Sequence, residues 1–306
     1  MQFAWNVENR YIAFILIITA AVLWGAVGVT IRVLTDFGFT SIQIVVLRFI
    51  TAAVCFGLYI AFTNRRKFRI EKADVKYFMA YSFFVLLAYS LCFVAAITLA
   101  SYATATGLLY TSPIWAMLLS IYMFKEKLTK RKGLAILLSF TGCGLITGLF
   151  SGGGLSAAPV ALLAGLGAGM GYGFQGVFTK KFMQKYTSVT VVFYYFLFAT
   201  IFGLPLSDAG SMGKAFAGAP FSLPVAVFGA IICYVVPFAL YAYALNFIEA
   251  SKAAVIVSVE PVVAALIGFL IYNEPLTAAV AFGVILIISA VVVLYEPASR
   301  AKPENY

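Results

Sequence analysis

Between Lys76 and Lys125 the chain runs for 48 residues, Tyr77 to Phe124, without a charged side chain. As one helix this stretch would be about 72 Å long, more than twice the roughly 30 Å hydrocarbon thickness of a bilayer. It must therefore fold back on itself, with the turn expected near Ala100-Ser101. Residues 133–179 form a second uncharged run of 47, which splits at the turn signal Ser151-Gly152-Gly153-Gly154. A water-soluble fold cannot hide such segments in a chain that is 63% hydrophobic and 10% charged, with a mean hydropathy of +1.02. The solvent for most of this surface is lipid.

Further apolar runs lie at 11–31, 41–63, 186–207, 221–248, 252–272 and 277–295, and Arg48 is the one charge inside 41–63. The expected fold is all-α and integral to a membrane, with ten transmembrane helices. The first run is too long for the hydrophobic part of a cleaved signal peptide and is expected to remain as a span. With the N-terminus inside, 18 of the 21 Lys and Arg fall on the inner side, clustered at residues 65–76, 125–132 and 180–185. Arg32 and Lys214 fall outside and Arg48 in the membrane. This bias predicts a cytoplasmic-membrane protein with both tails, 1–10 and 297–306, in the cytoplasm. It also accounts for the +10 net charge without a nucleic-acid partner.

Sliding the chain against itself by 148 residues aligns Pro113 with Pro261, Ala116 with Ala264, Glu126 with Glu274, and Leu128-Thr129 with Leu276-Thr277. The same offset puts Trp24-Gly25 on Tyr172-Gly173 and Arg32 on Lys180. The expected repeats are 11–150 and 156–296. Each holds five helices, an odd number, so the second must cross in the opposite sense to the first. Inverted repeats of this kind are typical of secondary transporters, whose midplane site is exposed alternately to each side.

These residues carry a family resemblance. Trp24-Gly25, Arg48-Phe49, the run from Pro113 to Glu126-Lys-Leu-Thr, Tyr241-Ala-Tyr-Ala-Leu, and Glu260-Pro261 followed by Glu274-Pro-Leu-Thr resemble the EamA-type branch of the drug/metabolite transporter superfamily. The resemblance covers essentially the whole chain in two copies. It implies a ten-helix exporter or permease with a central cavity lined by both repeats; relatives handle amino acids, other metabolites and drugs.

Glu260 lies near the expected bilayer centre, where a bare carboxylate is costly by several kcal/mol. It is either paired or protonated, and either state serves a carrier: it can couple transport to protons or hold a substrate amine. A purely structural ion pair is the alternative. Pro261 beside it is expected to kink the helix. Arg48 sits about seven residues, so about 10 Å, inside its helix; it can pair with Glu260, bind a substrate carboxylate, or extend to the interface. Glu126 and Glu274 precede Thr129 and Thr277, candidate N-caps, and suit structural or gating roles alongside Pro113 and Pro261. Among the abundant aromatics, Trp24, Tyr89, Tyr110, Trp115, Tyr172, Tyr234 and Tyr241 lie well within spans, where they pack or line a cavity able to hold an organic cation. Gln175, one turn from Tyr172, is a further cavity candidate, whereas Asn246 belongs near a helix end.

The chain contains no histidine, and its four cysteines are dispersed, without a metal-ligand or redox spacing. An enzyme would need a catalytic constellation that the spans lack, and no phosphate-cradling motif for ATP hydrolysis is present. No cofactor or metal is expected. The expected partners are a small-molecule substrate, the bilayer and, through Glu260, protons. The reading is a secondary transporter, an exporter of small amphiphilic metabolites by alternating access; a facilitative channel or a non-transporting scaffold is the alternative.

Overall fold

Residues 7–150 and 158–295 are described by a computed structural model, and every regular element among them is helical. The expected turn at Ser151 to Gly154 and the tails at 1–6 and 296–306 lie outside the described residues. Among the described residues ten rods follow one another, with a short helix, Ala209–Gly218, on the connection between the seventh and the eighth. The rods are α1 (Asn9–Asp36), α2 (Ser41–Thr63), α3 (Lys72–Leu99), α4 (Tyr102–Phe124), α5 (Lys130–Ile146), α6 (Pro159–Met183), α7 (Ser188–Leu206), α8 (Ser222–Ala244), α9 (Ala250–Tyr272) and α10 (Ala278–Leu294).

Eight of these are long and apolar enough to cross a membrane. The expected count of ten is not reached on length and composition alone, because α5 and α10 have 17 residues each. That is about 25 Å of helix, and α5 spends its first turn on Lys130-Arg131-Lys132. The surface has the character that lipid demands: Phe62, Phe84, Leu163, Phe228 and Leu270 are all more than 60% exposed.

Local chemistry explains where the rods begin. The 48-residue run breaks after Leu99 because Ser101 caps the next helix, accepting a hydrogen bond from the Thr104 N–H at 3.0 Å. Thr129 and Thr277 cap α5 and α10 through the N–H groups of Lys132 and Val280. Thr40 and Gln43 form a reciprocal capping box at the start of α2. The first rod outruns its expected end and includes Arg32, because Leu34 is buried with Phe39 and Ile44.

Several rods are interrupted. α1 pauses at Ala26, α4 between Leu109 and Ser112, and α9 between Val257 and Glu260. The kink expected from Pro261 in mid-helix is corrected accordingly. Glu260 opens the second segment of α9, and Pro261 sits in its first turn, where the N–H that proline lacks is not needed. Pro113 occupies the same place in α4. The 148-residue offset extends to these details: the segments Tyr102–Leu109 and Ser112–Phe124 map onto Ala250–Val257 and Glu260–Tyr272. The left-handed residues that end them, Lys125 and Asn273, both at φ 54°, coincide as well.

Packing follows the same rule. α1 packs on α8 and α9, α6 on α3 and α4, α2 on α7, α4 on α9, and α5 on α10. Exchanging each rod for the one five places away turns this set into itself. α5 and α10 approach backbone to backbone: a Cβ on Gly142 would lie 2.8 Å from the Gly283 carbonyl and 2.8 Å from Ile287. Small residues permit such contacts between membrane helices. Gly142→Leu should therefore destabilise the bundle by about 1–3 kcal/mol and lower its melting temperature in detergent. Gly133→Ala in the same helix, where a Cβ meets open space, should leave the melting temperature unchanged or raise it.

Candidate functional site

The break in α9 places Glu260 at a helix N-terminus, where exposed amides and the helix dipole favour a carboxylate. Tyr172 of α6 donates a hydrogen bond to Glu260 Oε2 at 2.8 Å, and its ring stacks on Tyr89 of α3 with centroids 5.9 Å apart. Two cavities lie near this pair, one lined by Pro261 beside Glu260 and the other by Tyr172. The larger, about 450 Å³, is open at one end of the bundle and is lined by Gly25, Gly28, Tyr102, Thr106, Tyr110 and Pro261, among others. At its mouth Arg32 pairs with Glu274 at 2.7 Å, both half exposed, and the guanidinium lies 4.0 Å above the Tyr272 ring. The smaller cavity, about 10 Å³, is the size of one water molecule. Trp24, Ser112, Tyr172, Gln175 and Tyr241 surround it, and the buried Gln175 Oε1 has no hydrogen-bond partner.

The opposite end of the bundle is sealed by buried charges. Lys132 lies 3.4 Å from Glu126 and 3.0 Å from Glu249, Lys252 lies 3.0 Å from Glu249, and the Ser251 hydroxyl donates to Glu126. Burial pushes the Glu249 carboxyl up, but Lys252 and Lys132 outweigh it and hold the group below the usual carboxylate range. Lys180 donates to the Ile248 carbonyl at 2.7 Å beside this cluster. Farther out, Lys185 bonds to Asp74 and Glu71, which raises its pKa above the ordinary lysine value.

The sequence matches the family model described as EamA-like transporter twice, over residues 11–148 and 159–296. The chain belongs to the EamA-like transporter family. Its relatives include an uncharacterized transporter of Archaeoglobus fulgidus, 23% identical, with 91% of this chain and 94% of the relative covered. The uncharacterized transporter YoaV of Bacillus subtilis is 26% identical, with 89% and 92% covered. A solved crystal structure shares the fold with a TM-score of 0.72 at 18% identity, covering 92% of this chain and 95% of that one. As an EamA-like protein the chain is a membrane transporter and not an enzyme.

Within this EamA-like bundle, Trp24, Tyr172, Gln175 and Tyr241 meet around the small cavity, with the Trp24 indole edge-on to Tyr241 at 5.5 Å. Glu260 and Tyr89 join them through Tyr172. Tyr110 and Pro261 line the larger pocket, and Glu274 stands at its mouth. Three candidates lie apart. Trp115 turns its Nε1 to Thr111 on its own rod at 3.1 Å. Glu126 belongs to the sealed end. Arg48 lies 5.9 Å from the Tyr234 ring centre with Nη2 buried and unpartnered, and it makes no ion pair with Glu260 among the described residues. Asn246 lies beyond the end of α8 and bonds to the Tyr243 carbonyl.

Sequence reading passed over Ser112, Tyr102, Thr106 and the partners Lys132, Glu249 and Ser251. The offset of 148 could have found Ser112, which is the counterpart of Glu260. Removing one member of a buried ion pair strands the other, typically at about 3–5 kcal/mol, whereas an exposed pair contributes about 0–1 kcal/mol. Lys132→Met should therefore lower unfolding stability in detergent by about 3–5 kcal/mol, and Glu274→Gln by less than about 1 kcal/mol. Equal losses from both would contradict the contrast between the two ends.

Proposed function

We propose that this chain is a secondary active transporter that exports small amphiphilic organic solutes, amino acids or related metabolites, by alternating access. In this reading all ten rods span the cytoplasmic membrane, α5 and α10 at the short limit of about 17 residues. Both termini are cytoplasmic, and the regions 11–150 and 156–296 are inverted repeats. The packing scheme that maps onto itself when rods five apart are exchanged supports this arrangement. So does the positive bias of the connections at the sealed end.

The observation that carries the reading is a one-sided pocket of about 450 Å³ whose wall includes Pro261, next to a carboxylate set at a helix break. Broken helices at the repeat interface are where secondary transporters bind substrate and coupling ions. Tyr110 and Tyr102 provide flat apolar walls, while Thr106 and Thr147 add hydroxyls. This combination suits a solute with an apolar body and polar ends. Trp24, Tyr89, Tyr172, Gln175 and Tyr241 extend the site inward from Glu260. Arg48 is the reserve cation for a substrate carboxylate, and Trp115 is assigned to packing. Glu260 carries the proton, with Tyr172 holding its charged form.

Purified protein in proteoliposomes, screened first against a metabolite library by thermal shift, should show saturable counterflow of a stabilising hit. Glu260→Gln should keep counterflow but lose accumulation driven by a pH gradient. Unchanged pH-driven accumulation in that variant would remove proton coupling through Glu260, and non-saturable flux would replace the carrier with a channel.

A further inference from the structure

The contact that holds Glu260 has a counterpart of different chemistry. Shifted by 148 residues, Tyr172 and Glu260 become Trp24 and Ser112, and both of these border the small cavity of about 10 Å³. The backbone around the two places is alike. Ser112 and Glu260 each open the helical segment that follows a break, and Gly173 packs on the Ser112 carbonyl as Gly25 packs on that of Glu260. The side chains are not alike: a hydroxyl on one carbon stands where the other half has a carboxylate, so the shorter residue leaves room at the same point of the fold.

That room is polar. Trp24, Ser112, Gln175 and Tyr241 on its wall are each at most 6% exposed. Among the described residues their side chains make no hydrogen bond to the protein, and Gln175 Oε1 is wholly buried. Unpartnered atoms also occur at Thr200 and Ser222, but those residues border neither cavity. Here a hole of one-water size and four polar side chains coincide. Their chemistry restricts the occupant. The Trp24 indole only donates, the Gln175 carbonyl only accepts, and the hydroxyls do either. The occupant must therefore both accept and donate. Neither a sodium nor an ammonium ion can accept a hydrogen bond, no carboxylate borders the cavity to balance a cation, and an apolar group would leave all four side chains unpaired.

We infer that one ordered water molecule occupies this cavity, held by Trp24, Ser112, Gln175 and Tyr241, and stands in the first repeat where the Glu260 carboxylate stands in the second. Tyr172 borders the same cavity while donating to Glu260, so the water adjoins the residue that holds the carboxylate. The site does not depend on the transporter reading. Within that reading it makes the inner end of the solute site neutral and confines the charge to Glu260.

A crystal structure at a resolution that shows buried waters should place a single peak in the cavity, with contacts of about 2.7–3.2 Å to most of the four side chains. No peak there while other buried waters are seen, or contacts of about 2.3–2.6 Å such as a hard cation makes with oxygen, would overturn the inference. Infrared difference spectra of the protein in liposomes, recorded in ordinary and oxygen-18 water, give an independent readout. One isotope-sensitive O–H component of the wild type should be lost in Gln175→Leu and shifted in the milder Ser112→Ala and Tyr241→Phe, each of which deletes one hydroxyl. Thr200→Val, at an unpartnered hydroxyl away from the cavity, should leave it unchanged. A spectrum identical in the wild type and all three cavity variants places the water elsewhere and ends the proposal. Neither measurement uses a solute: the water without counterflow keeps the site and removes the carrier, and counterflow without the water removes only the site.

Discussion

A carboxylate inside an apolar bundle is the constraint around which the centre of this protein is arranged. Glu260 needs donors where no water is assured, and three features supply or permit them. The interruption of α9 leaves free amides at the start of a helix. Pro261 then occupies the one kind of helical position where a missing N–H does no harm. Tyr172, on the neighbouring rod, gives a direct hydrogen bond. In the other half the same break and the same proline surround Ser112, a neutral residue, so the charge is carried by one repeat only. The backbone geometry is duplicated and the chemistry is not.

Much of the frame was legible in the sequence for simple reasons. Lipid forbids unpaired backbone, so long uncharged runs had to be helices, and the run at 41–63 coincides with α2. The turn at Ala100-Ser101 was readable because bilayer thickness demanded a break and serine caps helices. The interruptions at Ala26, at 110–111 and at 258–259 were not. Inside a uniformly apolar run no loss of periodicity marks them, and Glu260 therefore read as a mid-helix residue. The aromatic and amide candidates of α1, α6 and α8 do converge on one small cavity. The cluster of Lys132 with Glu249 was invisible, since its members are far apart in sequence and lysine-rich connections read as solvated inner loops. Arg48 shows the same limit from the other side: its depth was readable, but the choice of Tyr234 as neighbour depends on how α2 and α8 pack.

The two ends of the bundle invest their charges differently, and the difference has a direction. At the open end one pair, Arg32 with Glu274, stays in water, where it contributes little to stability and is screened by salt. At the sealed end Lys132, Glu126 and Glu249 are almost wholly buried. Burying such a cluster is roughly neutral overall, because desolvation offsets most of the mutual attraction. Its net contribution to the fold is therefore small as long as the cluster stays whole. Breaking one partner away inside the protein is strongly unfavourable, yet letting water reach the whole cluster at once is cheap. A cluster with those properties is lost as a unit or not at all, so this end of the bundle resists any single break in its charges while adding little to the stability of the whole.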